Sequence, residues 1–96
     1  MLNVFQPGEN FKVDFECQNI TRSGDAIEGV NSVTISSDDV TTSSYSFSGN
    51  ILQCDVDIAS DIDTTDQPIS VKIEFDLLTT YNDSIKEVFY IVVYDY

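Results

Sequence analysis

The segment Pro68–Leu78 reads PISVKIEFDLL. Ile69, Val71, Ile73, Phe75 and Leu77 take every second position, with Ser70, Lys72, Glu74 and Asp76 between them. Successive side chains of an extended chain point to opposite sides, so this spacing gathers the apolar groups on one face and the polar groups on the other. Such a strand is half buried, and its apolar face requires a second layer to cover it.

The neighbouring segments supply that layer. Phe11, Val13, Phe15 and Cys17 alternate with Lys12, Asp14 and Glu16, and Leu52, Cys54, Val56 and Ile58 alternate with Gln53, Asp55 and Asp57. Leu2–Phe5 is a short apolar run ahead of Pro7-Gly8, which reads as an edge strand and a corner. Val33 and Ile35 mark a strand within Asn31–Ser36, and Tyr45 and Phe47 mark a short one that Ser48-Gly49-Asn50 turns into a hairpin. Asn19–Gly29 and Asp61–Gln67 read as polar loops, and Ser37–Ser44 is too polar to bury. Thr80–Ser84 is the last turn before a final strand over Lys86–Asp95. No window shows helical spacing with caps. Residues 1–96 are expected to form a single all-β domain, an immunoglobulin-like β-sandwich of about seven strands.

Charge removes several classes of partner. Four Lys and Arg face seventeen Asp and Glu, a net charge of -13. Lys12, Arg22, Lys72 and Lys86 are scattered, so nothing gathers the positive charge that nucleic acid or an anionic membrane surface demands. The acidity keeps a small β protein soluble and discourages edge-to-edge pairing, and it also complements a basic partner. Met1–Asn10 has neither a basic n-region nor a long apolar run, so no signal peptide is expected. Cys17 and Cys54 could pair, but two cysteines make no disulfide framework, and both fall on apolar sides of their strands, so buried free thiols are the expectation.

Catalytic and metal chemistry find little support. The chain has no His, which excludes imidazole triads and leaves both thiols without an activating base. Asp55, Asp57, Asp61 and Asp63 follow the spacing of a calcium loop, but Ala59 stands at a ligand position, Ser60 replaces the turn Gly and Asp66 replaces the bidentate Glu. A solvated strand face running into an acidic loop is the expectation there, with no metal, no cofactor and no enzymatic activity.

The last strand breaks the alternation. Phe89, Ile91 and Val93 make one apolar face, and Val88, Tyr90, Val92, Tyr94 and Tyr96 make a second. A sandwich strand shows water one polar face. Either the second face is covered within the domain, by Met1–Phe5 or by long neighbours, or Val88, Tyr90, Val92, Tyr94 and Tyr96 form a partner interface. Tyr suits an interface because it buries area while keeping a polar tip.

The layout resembles a family of small phage virion proteins described as fiber–tail adaptor proteins. The likeness lies in Pro7-Gly8-Glu9 before the strand Phe11–Phe15, and in Gly24-Asp25-Ala26-Ile27 leading to Ser32-Val33-Thr34-Ile35. It continues in the ending, a long strand, a polar turn at Tyr81–Ser84, and Glu87-Val88-Phe89-Tyr90-Ile91-Val92-Val93. The chain departs from the family in having no Trp in its early strands and in its stronger acidity. The resemblance implies a non-catalytic adaptor that joins tail, neck, portal or fiber components. It would be made in the host cytoplasm and built into the virion in many copies. A capsid decoration or adhesion module binding its target through the loops Asn19–Gly29 and Asp61–Gln67 is the alternative.

Overall fold

A computed structural model describes residues 3–20, 23–62, 68–81 and 84–94. Seven strands run in the order β1 (Asn3–Phe5), β2 (Asn10–Glu16), β3 (Ile27–Ile35), β4 (Val40–Ser48), β5 (Ile51–Ile58), β6 (Ile69–Thr79) and β7 (Ser84–Val93). None of the described residues is helical. The strands form two sheets, β1-β7-β6-β3 and β2-β5-β4, so the all-β sandwich expected from the alternation is the architecture observed.

The core follows directly from the period-2 rows. Val71, Ile73, Phe75 and Leu77 of β6 are fully buried, and so are Leu52, Cys54 and Val56 of β5, the central strand of the other sheet. Each of the Val, Leu, Ile and Phe side chains among them contributes about 1.5–3 kcal/mol by leaving water. Aromatic rings join the layers: Phe15 of β2 lies 5.7 Å from Phe75 of β6 and 4.6 Å from Phe89 of β7. Tyr45 of β4 meets Phe75 edge-on at 6.3 Å.

Two strands are longer than their patterns indicate. β3 begins at Ile27, inside the expected loop Asn19–Gly29, rather than at Asn31. Its pairing with β6 slips between Ile27 and Gly29 and again between Val30 and Ser32. These bulges insert extra residues and erase the alternation that would have revealed the strand. β4 begins at Val40 rather than Tyr45, because Val40 is buried and anchors the Ser/Thr-rich run beside β5. Within β4, Ser43 pairs with Asp55 and Ser46 with Gln53, so two residues oppose the single Cys54. Ser44 absorbs the bulge at φ +57, which turns Tyr45 inward, where its hydroxyl lies 2.6 Å from Thr42 Oγ1.

The hairpin expected at Ser48-Gly49-Asn50 is present, with Ser48 paired to Ile51 across a two-residue turn and Gly49 at φ +60. Most of the expected loop Asp61–Gln67 lies outside the described residues, as does part of the Thr80–Ser84 turn.

A candidate interaction surface along the last strand

β7 owes its position to β6, with which it pairs antiparallel from Leu78–Ser84 to Ile69–Val93. Its inward row is Glu87, Phe89, Ile91 and Val93; Ile91 and Val93 are fully buried and Phe89 packs partly buried against the core. The outward row is Val88, Tyr90 and Val92, with Tyr94 beyond the strand end. Val88 is 39% exposed, Tyr90 57% and Tyr94 39%, while Val92 is half-buried. Tyr96, the remaining residue expected at an interface, lies outside the described residues.

β1 lies beside β7 in parallel register, Asn3 with Ile91 and Phe5 with Val93, and Tyr94 N–H donates to the Phe5 carbonyl at 2.9 Å. The Asn3–Phe5 stretch therefore extends the sheet and does not lie over its outer face. It adds an apolar group there, because Val4, level with Val92, is 45% exposed. Val4 was not legible as a site residue; its place depends on which strand β1 joins. Lys72 pairs with Tyr90 and Glu74 with Val88, so one cation and one carboxylate border the apolar row.

Glu87 interrupts the inward row with a carboxylate that is only 3% exposed. Its oxygens accept the backbone N–H of Gln18 at 3.0 Å and of Asn19 at 2.7 Å, and Asn19 Nδ2 donates to the Lys86 carbonyl at 2.8 Å. These bonds tie the segment after β2 to β7, the strand that carries Tyr90.

Cys17 and Cys54 are buried and unbonded to each other, as their positions predicted. Burial pushes the Cys17 thiol up from an ordinary 9.0 to about 12, with the Glu87 carboxylate adding to the shift. Burial, and secondarily Asp55, raises Cys54 to about 11. Neither thiol is prepared as a nucleophile. Asp55 and Asp57 occupy the outward row of β5, where Asp55 lies 3.6 Å from Lys12 Nζ. Among the described residues no three carboxylate or thiol groups converge to hold a metal; Asp63 and Asp66 lie outside them. No protein-family model and no curated protein matches this chain.

Proposed function

We propose that this chain is a non-enzymatic virion structural protein, an adaptor joining tail or neck components through protein–protein contacts made by Val88, Tyr90, Val92, Tyr94 and Tyr96. The observation that carries the contact surface is the exposed row Val88, Tyr90 and Tyr94 along and just past β7, with Val4 of β1 beside it on the same sheet platform. Exposed aromatic groups on such a platform bury area on binding with little loss of conformational freedom. The virion context comes from the resemblance of Pro7–Phe15, Gly24–Ile35 and Tyr81–Val93 to the fiber–tail adaptor family. The strand order supports an immunoglobulin-like reading: β2-β5-β4 and β7-β6-β3 follow the B-E-D and G-F-C orders of that fold, with β1 beside β7.

The test is association. Light scattering on the chain, alone and with tail or neck proteins encoded beside it, should detect a defined multi-copy complex. Tyr90→Asp should abolish that complex while the fold persists. A wild-type chain that stays monomeric and joins none of those proteins would sink the adaptor reading. Loss of target binding through changes in Asn19–Gly29 alone would favour the decoration module.

A further inference from the structure

The sandwich has four lateral edges, and they are not equally closed. β3 carries two register slips and β4 one, and bulges of this kind spoil an edge for further pairing. The fourth edge, β1, is only three residues long, and the part of β7 that it leaves uncovered is met at Lys86 by the Asn19 side chain. β2 is different. It pairs with β5 over seven consecutive residues without a slip, and among the described residues no strand lies on its other side.

The hydrogen bonds at the ends of β2 fix which way its backbone groups face. Cys17 N–H donates to the Asn50 carbonyl at 2.8 Å, and the Glu9 carbonyl accepts from Ile58 N–H at 2.9 Å. Odd-numbered residues thus bond toward β5, and alternation in an antiparallel ladder turns Lys12, Asp14 and Glu16 the other way. Among the described residues no hydrogen bond from elsewhere in the chain reaches their N–H or C=O groups.

We infer that the open edge of β2 accepts an added strand: an extended segment of another protein that alternates apolar residues with Lys or Arg. Backbone pairing to Lys12, Asp14 and Glu16 supplies the affinity, as in strand addition generally. The apolar positions of the incoming strand face the flank between the sheets, where Phe11 is 44% exposed and Phe89 half-buried. Its basic positions lie across from the outward side chains of β2. There Lys12 is already matched by Asp55, so the unbalanced charges are Asp14 and Glu16. Opposite charges directly across a strand pair are favourable and like charges are not. A second copy of the chain is the poorer occupant, because it brings the same -13 surplus with it. This surface is separate from the outward row of β7, so it stands whether or not the adaptor reading does.

The probe is a synthetic peptide of about six residues alternating Val and Lys, with a Val/Glu peptide as control. Amide exchange read by NMR should slow at Lys12, Asp14 and Glu16 with the Val/Lys peptide and not with Val/Glu. Asp14→Pro removes an outward N–H without touching the ladder to β5, so the fold should survive and the protection should vanish. The double variant Asp14→Lys/Glu16→Lys, which reports even if the proline variant fails to fold, should bind Val/Lys about tenfold more weakly and prefer Val/Glu. Tyr90→Asp should leave binding unchanged. Absence of protection at these three amides, equal protection by both peptides, protection that grows with protein concentration alone, or loss of binding with Tyr90→Asp would each overturn the inference.

Discussion

Glu87 accepts the backbone N–H of Asn19 at 2.7 Å, joining the end of one sheet's edge strand to the inward side of the other sheet's β7. A carboxylate at a core position is costly unless its oxygens find donors, and here both do, the second being Gln18 N–H at 3.0 Å. Glu87→Ala leaves those two N–H groups without their acceptor and should cost about 2–4 kcal/mol in urea unfolding. Glu87→Leu, which fills the space with apolar atoms but accepts no hydrogen bond, should fail to restore the loss. Wild-type stability in Glu87→Leu would show that the site needs volume rather than acceptors.

The thiols make stability fall at alkaline pH. In the unfolded chain both ionise near 9.0, whereas in the fold they hold their protons until about 11 at Cys54 and about 12 at Cys17. Above pH 9.0 the unfolded state therefore binds fewer protons than the native state, and stability declines as pH rises through that window. Urea midpoints measured at pH 8 and at pH 10 should differ, and Cys17→Ala/Cys54→Ala should reduce the difference. A disulfide-exchange reagent at pH 8 should modify neither thiol until the chain unfolds.

Two glycines with left-handed backbones should respond differently to the same substitution. Gly24 sits at φ +81, and a Cβ there would stand 2.8 Å from the Tyr81 hydroxyl, which donates to the Ser23 carbonyl at 3.2 Å. Gly49 sits at φ +60 with open space around it. Both alanine variants incur the backbone penalty of about 1–2 kcal/mol, but Gly24→Ala must also displace Tyr81. Thermal melts should rank Gly24→Ala below Gly49→Ala, and Gly49→Asn close to wild type. Equal melting points for the two alanine variants would mean that Tyr81 yields without cost.

Tyr90 should separate association from stability. Its side chain is 57% exposed and opposes Lys72 across the strand pair. Tyr90→Asp should change unfolding free energy by no more than about 0.5–1 kcal/mol while removing any higher assembly seen by light scattering. Phe75→Ala, by contrast, empties a fully buried position among Phe15, Phe89 and Tyr45 and should cost about 3–5 kcal/mol.

The amino-acid order alone specifies the rows that make the core. Val71 to Leu77, Leu52 to Ile58 and Phe89 to Val93 can be read inward because side-chain direction in a pleated strand is a local property with period 2. It also determined the turn at Gly49 and the burial of Cys17 and Cys54. It concealed the first part of β3 and the first half of β4, since the bulges at Glu28, Asn31 and Ser44 interrupt that period. The three-dimensional fold is what sets β1 parallel to β7 and not across its face, which leaves Val88, Tyr90 and Tyr94 exposed and adds Val4 to them. It alone placed Glu87 where Gln18 and Asn19 bond to it, and it alone left the far side of β2 open among the described residues. These are choices between distant segments, set by which strand edges meet when the two layers close, and no spacing within a single segment encodes them.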